Sequence, residues 1–186
     1  VPSLPWAQAK PLPAARPGKW GPPPVAKGTK SFIATPPRPA EQKILLVNRP
    51  GAPQSTIVGA QLIPVDPKSD LVPISAANEA LGGDFLARLN MDLREDKGWS
   101  YGVSGNPQFT ERLARYVVSA PVQAVRTGDS IVQLNSQVGA FLSTKGITEA
   151  ELSRTVAKSI NALPGDFETA GAVISAMMRM DLFDRP

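Results

Sequence analysis

The stretch Leu81-Gly-Gly-Asp-Phe-Leu-Ala-Arg-Leu-Asn-Met-Asp-Leu-Arg94-Glu-Asp-Lys-Gly98-Trp-Ser-Tyr101-Gly102 joins a helix signal, a stop and a strand signal. Asp84 suits an N-cap, and Phe85, Leu89 and Leu93 recur at helical spacing, so the pattern predicts an amphipathic helix over 84–97. Gly98, preceded by Lys97, suits its end. Beyond it Trp99, Tyr101 and Val103 alternate with Ser100, Gly102 and Ser104, the two-residue period of a strand. Arg94 then lies in the last turns of the helix and Tyr101 early in the strand. A reversal at Gly98 brings a guanidinium and a phenol to one place.

These residues carry a resemblance. Gly82-Gly83, Phe85-Leu-Ala-Arg88-Leu89-Asn90, Leu93-Arg94-Glu95 and Gly98-Trp99-Ser100-Tyr101-Gly102 resemble the signature of the second domain of each half of pitrilysin/insulinase-family zinc peptidases, which include the mitochondrial processing peptidases. Asn48-Arg-Pro-Gly-Ala-Pro-Gln54-Ser55 resembles the strand and turn at the start of that domain, and the similarity spans roughly 40 to 180. The resemblance implies a non-catalytic, substrate-binding domain. Its Arg and Tyr, here Arg94 and Tyr101, act on an extended peptide, while another domain or subunit holds zinc on an H-x-x-E-H helix. Trp99, Gly98 and Ser100 are the accompanying candidates for substrate contact. The chain contains no histidine, so that zinc motif is absent from it and no metal ligands are assigned. No cofactor is expected in this chain. The expected partners are a zinc-bearing catalytic domain or subunit and a peptide substrate, with a dimer left open. The alternative is a non-catalytic scaffold descended from the same family, and a third reading is a secreted binding module with a proline-rich anchor.

Composition narrows the chemistry. With 186 residues, 42% hydrophobic and 19% charged, the chain suits one domain with a core plus an appendage. It has no cysteine, which excludes disulfides and thiol catalysis, and with histidine also missing the usual nitrogen and sulfur zinc ligands disappear. The net charge of +4 is scattered rather than gathered into a basic stripe with aromatics, so no nucleic-acid partner is expected. No apolar run approaches the roughly 20 residues of a spanning helix. The compartment is open, with the bacterial periplasm or a membrane-associated exterior as the working assignment. Glu79, Asp84, Asp92, Glu95 and Asp96 fall at solvent-facing helical spacings and read as surface charge rather than a catalytic carboxylate pair.

Along the chain, residues 1–41 hold more than half of the twenty prolines and read as a proline-rich arm or interdomain linker anchored by Trp6 and Trp20. Residues 42–186 read as the folded domain, a fragment of something longer. Ile44-Leu-Leu-Val47 suggests a buried strand paired through a Pro-Gly turn with a second strand over 55–65, where Gly59 marks a bulge or close approach. Asp66–Asp70 starts a helix carrying Leu71, Ile74, Asn78 and Leu81, and Gly82-Gly83 punctuates it. Asn106-Pro107 reads as a turn before a strand over 115–123. Three helices follow. The first carries Ile131, Leu134, Val138 and Phe141. The second opens on a Thr148/Glu151 capping box, carries Leu152, Val156, Ile160 and Leu163, and breaks at Pro164-Gly165. The third has Met177, Met178 and Met180 as core filler, and Asp184–Pro186 is an uncapped stop. The fold class is α+β, a mainly antiparallel sheet with helices packed on one face.

Overall fold

A computed structural model of the chain describes Gly28 and residues 41–110 and 113–183. The chain divides into two units, Val1–Gln42 and Lys43–Pro186. The arm reading, with Trp6 and Trp20, and the stop at Asp184–Pro186 lie outside the described residues.

Three strands, β1 (Gln54–Ile63), β2 (Ser104–Phe109) and β3 (Ala114–Gln123), make an antiparallel sheet in the order β1-β3-β2. Register runs from Gln54 opposite Gln123 to Ile63 opposite Ala114, and from Ser104 opposite Ser119 to Phe109 opposite Ala114. Because alternate side chains share a face, Tyr116, Val118, Ala120 and Val122 of β3 point together into one core. Leu81, Leu89, Leu93 and Leu134 from the helices and Val103 from the loop before β2 meet them there, all buried. The class is therefore α+β with helices on one face of a small sheet, as the periodicity implied.

Among the described residues five α-helices accompany the sheet. α1 (Val72–Asn78) runs into a wide π-helical turn over Glu79–Gly83, and α2 (Arg88–Asn90) widens likewise over Met91–Asp96. α3 (Thr127–Ser143), α4 (Glu149–Asp166) and α5 (Ala170–Phe183) close the chain. Among the described residues no helix is long and apolar enough to cross a membrane. The α4 capping box forms: the Thr148 hydroxyl accepts the Glu151 N–H at 3.3 Å and the Glu151 carboxylate accepts the Thr148 N–H at 2.8 Å. Gly82 is more than punctuation. A Cβ there would sit 2.7 Å from the Gly105 backbone nitrogen, so the glycine lets the π-helical turn after α1 press directly onto β2.

Several local expectations give way to tertiary context. Ile44–Val47 is not a strand: the chain turns at Arg49–Ala52, and all four apolar side chains are 73–89% exposed. An apolar run becomes a strand only where a second edge lies in register with it. Gly59 marks neither bulge nor contact, since β1 pairs without interruption and nothing lies within 4 Å of a Cβ there. Asn106-Pro107 lies inside β2. Pro107 has no N–H, and β2 is an edge strand that does not need one on its outer side. Pro164-Gly165 falls in the last turn of α4, where few bonds remain to be broken, and the helix continues to Asp166. Asp84 caps only a turn, accepting the Leu86 N–H at 2.8 Å, and α2 starts later, at Arg88. Val156, Ile160 and Leu163, half-exposed, and Met177 and Met178, at 63% and 66%, are not core. No described element covers these faces of α4 and α5. Asp92, expected in solvent, is buried and paired with Lys97 at 3.0 Å, because the widened turn rotates it inward.

One ion pair ties α2 to the C-terminal helices. The Arg88 Nε and Nη2 donate to the two carboxylate oxygens of Glu151 at 2.7 and 2.6 Å, and the other donors reach the Lys145 and Gly146 carbonyls. The guanidinium also stacks 5.1 Å from the Phe141 ring centroid. Both side chains are largely buried, so this bidentate pair is weakly screened. The Arg88 guanidinium holds the Glu151 carboxyl down to about 2 from an ordinary 4.5. A depressed carboxylate stabilises the fold above its unfolded-state value and loses that contribution as pH falls through the folded-state value. Thermal melts should thus lose about 2 kcal/mol of stability between pH 4.5 and about 2 through this group, and Glu151→Gln should be less stable at neutral pH and flatter across that window.

Candidate functional site

The turn at Gly98 builds the site. Gly98 has φ +64°, a left-handed conformation that suits glycine, and its N–H closes on the Arg94 carbonyl at 3.1 Å. The Trp99 N–H then bonds the Leu93 carbonyl at 2.9 Å, so the chain leaves α2 by a tight, satisfied reversal. Asn90, buried, locks the two arms together: its Nδ2 donates to the Phe85 carbonyl at 2.7 Å and its Oδ1 accepts the Val103 N–H at 2.9 Å. On the far side Gln123 fastens the turn to the end of β3. Its backbone N–H donates to the Trp99 carbonyl at 2.9 Å and its Nε2 to the Gly98 carbonyl at 3.0 Å.

The expected strand after Gly98 forms only in part. Ser100 makes a lone bridge to Val122, and regular pairing starts at Ser104. The Ser100 hydroxyl donates to the Pro121 carbonyl and accepts the Gly102 N–H at 3.1 Å, curling the segment before it can extend. This curl leaves Tyr101 87% exposed, and among the described residues its hydroxyl has no hydrogen-bond partner.

Arg94, Gly98, Trp99, Ser100 and Tyr101 all line one open cleft of about 470 Å³, with Pro53, Gln54, Glu95 and Gln123 completing it. The sequence candidates are thus brought together. Arg94 stacks 4.4 Å from the Phe85 ring centroid and approaches Glu95 at 3.3 Å, yet its Nη1 makes no hydrogen bond. Phe85, placed on the core stripe by its spacing, is instead exposed beneath this guanidinium. Trp99 serves two surroundings: it packs on the core, and Lys97 and Arg126 lie 5.6 and 5.3 Å from its ring centroid. Gln54, Gln123 and Asn90 escaped the sequence reading, since no local spacing marks a polar residue that acts on a distant turn.

A second, smaller recess of about 270 Å³ is lined by Glu79, Asp84, Leu86, Arg154, Thr155 and Lys158. There the Lys158 ammonium is held by both Glu79, at 2.6 Å, and Asp84. Hydrogen bonding to Lys158 lowers the Asp84 pKa, and the same carboxylates raise that of Lys158. Its charges are matched to one another, which suits a helix clamp. The fit of this chain to zinc is poor: it has neither histidine nor cysteine, and no cluster of acidic residues among the described ones is placed to hold an ion.

The family model described as Peptidase M16 inactive domain matches residues 6–159. The chain belongs to this family. The pitrilysin/insulinase resemblance and the M16 match therefore agree. Solved structures with a similar fold include the following three. One is a peptidase M16 inactive domain from Pseudomonas fluorescens, 23% identical with TM-score 0.61 and covering 72% of this chain and 32% of that one. A protein described as a zinc protease from Bordetella pertussis Tohama I is 18% identical with TM-score 0.57, covering 74% of this chain and 75% of that one. The periplasmic protease PqqL from Escherichia coli is 18% identical with TM-score 0.55, covering 71% and 15%. At such identities the likeness carries the fold. The chain spans about a third of the Pseudomonas chain. No curated protein matches it.

Within this M16 inactive domain Asn90 should be the most sensitive polar position near the cleft. Asn90→Ala strands the buried Val103 N–H and takes away the donor to the part-buried Phe85 carbonyl, and should cost about 2 kcal/mol, read as a lowered denaturation midpoint. Gly98→Ala forces a side chain into the left-handed region and should cost about 1 kcal/mol, with a shift in tryptophan emission as Trp99 moves.

Proposed function

We propose that this M16 inactive domain is the peptide-holding, metal-free part of a zinc metalloendopeptidase whose zinc is held by another domain or subunit. The observation that carries the reading is the shared cleft: Arg94 and Tyr101, separated in sequence by a helix end and a turn, open onto the same volume. A guanidinium is permanently charged and presents several donors, and a phenol adds one more. Together they hold carbonyl oxygens of a bound peptide and stabilise the negative charge that develops on the carbonyl under attack. Trp99, Gly98 and Ser100 shape the wall against which the peptide lies. Gln54 and Gln123 offer neutral donors and acceptors suited to a peptide backbone. The chain's own residues contribute binding, orientation and charge stabilisation, and no metal step is assigned to it.

The second reading, an assembly scaffold of the same family, draws on the exposed apolar faces of α4 and α5, which suit a protein partner better than water.

Kinetics of the complete enzyme separate these readings. Arg94→Ala and Tyr101→Phe should each lower peptide cleavage about a hundredfold, the usual effect of removing one oxyanion donor, with the melting temperature nearly unchanged. Wild-type turnover in both variants would assign the domain to the scaffold. Metal analysis of the isolated chain should find less than stoichiometric zinc, and peptide cleavage by it should be at background.

A further inference from the structure

An edge strand exposes a row of backbone donors and acceptors, and natural sheets protect such edges with charge, proline, bulges or covering segments. β1 has none of the first three. Its sequence Gln54-Ser-Thr-Ile-Val-Gly-Ala-Gln-Leu-Ile63 carries no charge and no proline, its ten residues pair with β3 without a bulge, and β1 is the outermost strand. Among the described residues only one side of it is paired. The same chain carries an unpaired apolar strand sequence: Ile44, Leu45, Leu46 and Val47 are 79%, 89%, 84% and 73% exposed. Among the described residues this run forms no ladder with that edge.

From this pairing of an unprotected edge with an unpaired apolar strand we propose that the chain self-associates by reciprocal strand addition. Ile44–Val47 of one copy lies along the free edge of β1 in a second copy. Each copy both donates and accepts, so the contact is two-fold and closed, and it extends each sheet to four strands. The apolar side chains of the donated strand leave water, and the backbone groups of both partners become satisfied. The inference is independent of the peptidase reading, since it uses neither Arg94 nor Tyr101.

Sedimentation equilibrium of the full chain, with hydrogen exchange of the β1 amides at several protein concentrations, tests it. The expected result is a monomer–dimer equilibrium in which protection of β1 rises with dimer fraction. Ile44→Asp with Leu46→Asp should weaken dimerisation by at least about tenfold and remove that concentration-dependent protection. Because both side chains are already exposed in the single chain, the double variant keeps its core, checked by an unchanged circular dichroism spectrum and melting curve of the monomer. A chain that stays monomeric at every concentration overturns the proposal. So does a dimer that the double variant leaves intact, which would place the contact on α4 and α5. Concentration-independent protection of β1 also overturns it, since the run would then be closing on its own strand.

Discussion

A single buried amide governs how this domain presents its cleft. Asn90 bonds the Phe85 carbonyl before the helix and the Val103 N–H after the turn, so one side chain spans both arms of the Gly98 reversal. Val103 is buried and its N–H finds its acceptor in this amide, which makes the amide a structural requirement rather than a preference. With the arms locked, the left-handed glycine sets the direction in which Trp99, Ser100 and Tyr101 leave. Gln123 then moors the turn to the end of the central strand. The cleft wall is therefore an extension of the sheet, although its residues come from a loop.

What the sequence revealed follows the range of the interactions concerned. The Thr148/Glu151 cap is written within four residues, and it forms as read. β3 and α3 carry long, regular patterns that packing on the core reinforces. The reversal at Gly98 was legible because lysine and glycine end a helix locally, and from it followed the meeting of Arg94 and Tyr101 at one cleft. The π-helical turn over Met91–Asp96 was not legible, since the residues within it are ordinary helix formers. It alters the angular positions on which the amphipathic reading rested, which is why Asp92 is inside, whereas Phe85 is outside because the helix starts only after it, at Arg88. Asn90, Gln54 and Gln123 act on groups far away in sequence or on a surface assembled from several segments, and no periodicity records that.

The exposed apolar residues have a related physical origin. Hydrophobic periodicity reports that a face is to be buried but does not name the surface that buries it. Leu163, Ile174 and Met177 lie on α4 and α5 at helical spacing, and Ile44–Val47 has strand composition, yet among the described residues nothing packs over them. The core around Leu89, Leu93 and Val122 is complete without them. These faces add little to the stability of the single chain while leaving it with large areas that gain from contact.

The cations of this domain divide by how their donors are used. Arg88 and Arg94 sit on one continuous helical segment, but Arg88 is surrounded by two carboxylate oxygens, two carbonyls and an aromatic face. Lys158 is likewise matched by Glu79 and Asp84. Four of the five Arg88 N–H groups and two of the three of Lys158 are engaged by acceptors of the chain itself. Arg94 differs: Glu95 lies at 3.3 Å in poor geometry, Phe85 stacks below, and Nη1 makes no hydrogen bond. A buried guanidinium nitrogen without an acceptor carries a desolvation cost, and in the proposed peptide-holding role that unused donor is what distinguishes Arg94 from Arg88. The widened turn begins after the first of the two arginines and contains the second. By rotating the second out of the packed interface, it converts a residue type used elsewhere as a clamp into one with bonding capacity to spare.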